Sequence, residues 1–229
     1  MNMRKIAIFP MERTPAVEFA ARELASRGVK IVGTLTEEVT HVLVGVPTKE
    51  RVFPPGVTVI GGNLEGDFPK IDLLKEEQYL AENAAITADC ALRLLGDRLP
   101  VTFRGCPILV IGWGRIGKCL AAMLKNLEAD VTVAARKPAD LAVLIALGYK
   151  AVAVNGIRPE GYRAILNTAP APVLAAGGEE ANIKIDLASR LGMAGENVLW
   201  ARGLPGKMLP EDSGACIARG VLRHLEGLE

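Results

Sequence analysis

The strongest constraint on this chain is the stretch from Pro107 to Leu120, PILVIGWGRIGKCL. Ile108, Leu109, Val110 and Ile111 form an unbroken apolar run, the pattern of a strand buried on both faces. Gly112, Gly114 and Gly117 follow, and apolar residues then recur at helical spacing. In a strand–turn–helix unit that holds a pyrophosphate each glycine has a task. Gly112 allows the tight turn, Gly114 leaves the backbone bare for a close phosphate, and Gly117 lets the helix pack against the strand. The helix start then offers N–H groups and the positive end of its dipole to the anion. With 24 glycines in 229 residues the spacing arises easily by chance, so its surroundings must decide. The competing account is a glycine-rich turn in a flavodoxin-like fold.

Those surroundings alternate strand and helix patterns. RKIAIF, VKIVGTL, HVLVGV and VTVIGG read as strands. TPAVEFAARELASRG reads as a helix with Thr14 as N-cap, Pro15 at its first position and Gly28 at its end. A helical pattern runs from about Ile71 to Leu95. A second series holds the strands PILVIG, DVTVAA, KAVAV, AILNTA, NIKIDLA and NVLWARG, with RIGKCLAAMLKNLEA and PADLAVLIALG as helices between them. SGACIARGVLRHLEGL reads as a closing helix. The expected fold class is α/β: two parallel-sheet units joined by a long helix, the C-terminal one a Rossmann dinucleotide-binding domain. The expected boundaries are a small unit over 1–82, a linking helix over 83–98, the dinucleotide unit over 99–210, and a last helix over 211–229 packing back across the junction. The glycine turn therefore lies between the first strand and first helix of an α/β unit, the context its reading requires.

The next strand end selects the dinucleotide. NAD-binding units place an acidic residue there for the ribose hydroxyls. Here Ala135 stands at that point, followed by Arg136 and Lys137. A guanidinium binds a 2′-phosphate bidentately where a carboxylate repels it, so NADP is expected over NAD; otherwise Arg136 and Lys137 are a solvated loop pair. Arg115 either lies over the pyrophosphate or faces solvent, and Trp113 is a packing residue or a ceiling over the cofactor. Ile116 completes the turn. The other strand ends carry Asn167, Thr168, Ala169 and Pro170, then Asp186 and Ser189, then Arg202 to Lys207 with Pro205 and Gly206. These are candidates for polar contacts or plain turn chemistry. The histidines, His41 and His224, have no carboxylate partner that the sequence identifies, which leaves a His–carboxylate relay without support.

Composition narrows the classes further. With 27 basic and 26 acidic side chains the net charge is +1, no footprint for nucleic acid or an anionic membrane. No apolar run approaches the ~20 residues of a membrane span, and the start lacks the apolar core of a signal peptide. Cys90, Cys106, Cys119 and Cys216 are scattered, which fits buried thiols in a reducing cytoplasm and no metal site.

Taken together, NAAITADCALRLL, the segment from Ile108 to Gly148, ILNTAPAPVL, IDLAS and GLPGKMLPEDSGACIA resemble the A subunit of dipicolinate synthase in content, order and spacing, over roughly Asn83 to Leu225. That resemblance implies an enzyme of a spore-forming bacterium that oxidises dihydrodipicolinate to pyridine-2,6-dicarboxylate with a nicotinamide cofactor, beside a flavoprotein B subunit. It implies that Gly112, Gly114, Arg115, Gly117, Arg136, Asn167 and Thr168 line the cofactor. It places Thr87, Ala88 and Asp89 near the cleft, and sets Gly206 and Lys207 toward a small dicarboxylate substrate. A homodimer is expected from exposed apolar helix residues such as those of LAVLIALG. The family's Gly-Gly-Asp turn after the first strand is replaced by Phe9-Pro10-Met11-Glu12-Arg13, and only a loose echo of its next loop remains at Val46-Pro47-Thr48. Proline cannot take the positive φ open to glycine. Two readings result: an NADP-linked oxidoreductase, or a Rossmann scaffold that binds NADP(H) without catalysis as a sensor or partner scaffold.

Overall fold

The computed structural model describes residues 6–50, 52–174, 183–195 and 197–226. The first residues of RKIAIF, Asn182 of NIKIDLA and the last residues of the closing helix's expected span lie outside them. The chain divides into two compact units, residues 1–86 with 205–229, and residues 87–204. The elements run β1 (Ala7–Pro10), α1 (Pro15–Ser26), β2 (Lys30–Ile31), β3 (His41–Leu43), β4 (Thr58–Gly61), β5 (Lys70–Asp72) and α2 (Glu77–Gly96). They continue with β6 (Pro107–Ile111), α3 (Arg115–Asn126), β7 (Asp130–Ala135), α4 (Pro138–Ala146), β8 (Lys150–Ala153), β9 (Ala164–Asn167), β10 (Ile183–Asp186), β11 (Val198–Trp200), α5 (Leu204–Met208) and α6 (Pro210–Glu226).

In the first unit five parallel strands pair in the order β2-β1-β3-β4-β5, the order of flavodoxin-like sheets. Strand alternation splits its core in two. Ile8, Leu43 and Ile60 meet Val17, Ala20 and Leu24 of α1 and Ile217, Val221 and Leu225 of α6. Val42, Val44 and Val59 meet Leu64 on the other face, with Phe9, Met11 and Phe53 packed against them. Thr14 caps α1 as its sequence predicts: its hydroxyl accepts the Val17 N–H at 3.3 Å, with Pro15 in the first turn.

Two expectations change here. Ile71 is not helical: it pairs with Ile60 in β5, and Asp72 ends the strand by accepting the N–H groups of Asn63, Leu64 and Leu74. The long helix therefore runs over 77–96 rather than from Ile71 or over 83–98, and the boundary between the compact units falls within it. The closing helix α6 belongs with the first unit and packs along α1, where a Cβ on Gly214 would come within 2.6 Å of the Ala16 carbonyl. The compact units thus break at 86/87 and 204/205, not at 82, 98 and 210.

The second unit contains every strand its sequence predicts. Six parallel strands pair in the order β11-β10-β9-β6-β7-β8. Counted from β6, this is the 3-2-1-4-5-6 arrangement of doubly wound dinucleotide-binding sheets, whose order reverses beside the first strand. Ile108 to Ile111 are fully buried between β7 and β9, which explains the unbroken apolar run. The turn after β6 consequently stands at the switch point, where the two halves of the sheet diverge and leave a crevice at their carboxyl ends.

Candidate functional site

Gly112 leaves β6 with φ +104, where a Cβ would come within 2.5 Å of Thr168 Oγ1. A Cβ on Gly117 would approach the Gly112 carbonyl oxygen to 2.1 Å, so helix and strand are in contact through a bare α-carbon. Gly114 differs: it is the N-cap of α3, makes no side-chain cap bond, and a Cβ there would meet nothing within 4 Å. The first-turn N–H groups of a helix lack intrahelical partners, and here no cap side chain covers them. A bare backbone, open space in front of it and the positive helix end fit a pyrophosphate.

Around this cradle the predicted residues separate by role. Ala135 is buried at the end of β7, and Arg136 and Lys137 are exposed beyond it. Neither of their side chains makes a hydrogen bond or ion pair among the described residues. Arg115 is exposed and Ile116 half-buried at the start of α3. The half-buried Trp113 ring meets Tyr149 edge-on at 5.7 Å, with the Lys118 ammonium 5.8 Å from the indole. Thr168, at the end of β9, donates its hydroxyl to the Ile111 carbonyl at 2.9 Å. Ala169 is half-buried, and Pro170 and Ser189 are exposed on the rim.

Asn167 and Asp186 require a correction. Both are fully buried, and their polar atoms are engaged by the protein itself. Neither presents its side chain to a ligand, because four N–H donors already converge on the carboxylate.

The substrate-side candidates lie in different units. Thr87 is buried in α2 within the second unit, beside buried Ala88 and the Asp89–Arg93 ion pair. Lys207 is exposed in the first, and the expected loop around it is the short helix α5. His41 is buried in β3 with Nδ1 2.8 Å from the Thr40 hydroxyl, and burial holds its pKa below the usual 6.5. His224 is exposed on α6.

Two functional-site features were not anticipated. In the first unit, Glu12 follows β1 and its carboxylate accepts the Gly45 N–H at 2.9 Å and the Thr48 hydroxyl. In the second, Gly192 packs so closely that a Cβ would lie 2.4 Å from the Ala171 carbonyl oxygen. A lone glycine between Leu191 and Met193 is a signal that could have found the latter, and the divergent segments 9–13 and 46–48 mark the location of the former without its partners. A groove of about 530 Å³ lined by Arg104, Cys106, Glu160, Tyr162 and Arg163 lies at the opposite, amino end of β6 and β9, away from the strand ends where open α/β sheets bind ligands. No group of His, Cys, Asp and Glu side chains able to hold a metal occurs among the described residues, nor is any described helix long and apolar enough to cross a membrane.

Sheet order, glycine turn and uncapped helix define the second unit as a Rossmann-type dinucleotide-binding fold. The TrkA-N domain model matches residues 108–202, from β6 to just past β11. The whole chain is similar to the A subunit of dipicolinate synthase. It is 26% identical over 173 residues to that protein of Bacillus subtilis (strain 168), covering 69% of this chain and 58% of the relative's length. Its fold matches the crystal structure of the Bacillus halodurans subunit with a TM-score of 0.82 at 19% identity, over 96% of this chain and 97% of the other. The B. subtilis subunit matches with a TM-score of 0.80 at 19% identity, over 100% and 99%.

Proposed function

We propose that this chain is an NADP-linked oxidoreductase of the dipicolinate synthase A type, which oxidises dihydrodipicolinate to pyridine-2,6-dicarboxylate in the cytoplasm of a spore-forming bacterium. The observation that carries it is the uncapped, open start of α3 beside Arg136, at a strand end with no carboxylate. The N–H groups at the start of α3 hold the pyrophosphate, and the Arg136 guanidinium pairs with the 2′-phosphate, with Lys137 beside it. Thr168, Ala169 and Pro170 line the opposite half of the dinucleotide. When bound, NADP supplies the hydride acceptor; the protein's part is to orient both reactants. The exposed Lys207 ammonium pairs with a carboxylate of the dianionic substrate. A flavoprotein B subunit and a second copy of the chain are the proposed partners.

The Glu12 bracket supports the second reading, a protein that binds NADP(H) without catalysis. It fills two donors in the first unit with the chain's own carboxylate. One experiment separates the readings: NADP and dihydrodipicolinate are incubated with the protein, with and without a B-type flavoprotein, while NADPH and NADH are titrated calorimetrically. Pyridine-2,6-dicarboxylate and tighter NADPH binding are expected. NADPH binding without product under either condition removes the enzyme and leaves the binding protein, and heat from neither nucleotide removes both.

A further inference from the structure

One buried carboxylate ties the ends of β9 and β10 together at the rim of the cradle. Asp186, at the end of β10, accepts the Asn167 side-chain amide at 3.0 Å, the Gly192 N–H at 2.8 Å and the Met193 N–H at 3.1 Å on one oxygen, and the Ala188 N–H at 3.0 Å on the other. Asn167, at the end of β9, carries the tie onward. Its amide donates to the Ala169 carbonyl at 3.0 Å and its side-chain oxygen accepts the Ala169 N–H at 2.9 Å. The next residue, Thr168, bonds the Ile111 carbonyl and fills the space beside Gly112 and Gly117. A continuous chain of contacts therefore runs from β10 through β9 to the glycine turn after β6. The Val173 N–H to Gly192 carbonyl bond, 2.8 Å, closes the two loops on each other.

A buried carboxylate is costly unless its oxygens are hydrogen-bonded, and charge-assisted bonds are roughly twice as strong as neutral ones. Three of the four donors on Asp186 are backbone N–H groups of the loop after β10, and the fourth is the side chain that shapes the loop after β9. Its charge thus fixes the course of two loops at once, which an apolar residue of equal size does not do. We infer that Asp186 is a positioning residue that touches no ligand. Through Asn167 and Thr168 it sets the 167–170 loop against the half of a bound dinucleotide that lies over β9 and β10. This rests on the proposed cofactor. Because β7 and Arg136 lie on the other side of β6 from β9, the 2′-phosphoadenosine half falls outside its reach.

The test uses the full chain, with NADPH and the fragment adenosine 2′,5′-bisphosphate titrated below the unfolding range into wild type, Asp186→Asn and Gly192→Ala. Asn replaces one oxygen by a donor that opposes backbone N–H groups. Ala at 192 pushes a Cβ to 2.6 Å from Asn167 Nδ2 without removing any polar group, and serves if Asp186→Asn does not fold. Leu95→Ala, a buried residue of α2 outside the glycine turn and the loops after β9 and β10, supplies a destabilised control. The expected result is NADPH binding weaker by about tenfold or more, with fragment binding and the control's NADPH binding unchanged. A variant with a lower Tm but wild-type NADPH affinity overturns the inference, as does equal loss of both ligands. A wild type that binds neither ligand removes the cofactor reading itself, and this outcome is distinct because it precedes any variant.

Discussion

Gly114→Ala and Gly117→Ala add the same methyl group three residues apart, and the structure assigns them opposite consequences. At Gly117 the new Cβ stands 2.1 Å from the Gly112 carbonyl oxygen and 3.1 Å from Thr168 Oγ1. An ordinary contact requires more than 3.4 Å, so α3 must move off β6 by about 1 Å or more. Overpacking of this kind costs about 1–3 kcal/mol, offset by about 0.5–1 kcal/mol of helix propensity. The net destabilisation is about 1–2 kcal/mol, a Tm decrease of about 3–6 °C, and the cradle distorts with it. At Gly114 the backbone is at φ −86 and the methyl meets nothing. Stability should change by no more than about 1 kcal/mol, the difference between Gly and Ala at an N-cap. Yet that methyl projects into the space a phosphate must enter, and losing one charged hydrogen bond weakens binding by about 10- to 100-fold. Thermal unfolding and NADPH titration of both variants make the check. If Gly114→Ala binds NADPH as wild type does, the pyrophosphate does not sit on this turn. If it unfolds as readily as Gly117→Ala, the separation of packing from binding is mistaken.

Arg136→Ala should weaken NADPH by about tenfold or more while leaving NADH and the Tm unchanged, because the side chain is exposed and makes no hydrogen bond or ion pair among the described residues; equal loss of both nucleotides in titration refutes the 2′-phosphate contact. Cys216 is fully buried, and burial, reinforced by Glu82, pushes its thiol pKa up to about 12. Mass spectrometry after iodoacetamide near pH 8 should find half-buried Cys119 modified and Cys216 untouched until the protein unfolds, and equal labelling of the native protein contradicts this packing. Burial pulls the Glu82 carboxyl upward, but hydrogen bonds and charge from Arg219 and Arg223 outweigh it and hold the pKa below 4.5. The folded state therefore binds this proton less readily than the unfolded state, so the contribution is full above the unfolded value and is lost as pH falls through the lower folded one. Glu82→Gln should accordingly flatten the Tm decrease as pH falls below the unfolded-state value, and an unchanged slope counts against the ion pairs.

What the sequence revealed, it revealed through period and punctuation. Ile108 to Ile111 is unbroken because β6 lies inside a doubly wound sheet, and Thr14-Pro15 marks a helix start by the same chemistry that caps it. Lys70–Asp72 escaped because three residues are too few to display alternation, and Leu73 and Leu74 merge into the helical pattern that follows. Pro205 and Gly206 disguised α5, since both residues normally interrupt helices, although proline is tolerated in a first turn. Asp186 was placed at the right rim but in the wrong role. A strand-end position shows which side of the sheet a residue is near, while its partners depend on where the following loop returns. Gly192 and Met193 return to it only in three dimensions.

The first unit follows the same physical logic with a different outcome. Its first strand ends on Pro10, which cannot take the backbone conformations open to glycine, and the chain closes this end of the sheet by side-chain means. Met11 N–H continues the ladder to the Leu43 carbonyl, and Glu12 then reaches residues 33 and 36 positions away. A Cβ on Gly45 would lie 2.4 Å from that carboxylate, so residue 45 must be bare for the tie to form. Here a carboxylate of the chain itself satisfies those two donors. Under the proposed function, a dicarboxylate would then be recognised elsewhere than by these two donors. The cradle at α3, whose geometry lies wholly within the second unit, is independent of how the first unit is used.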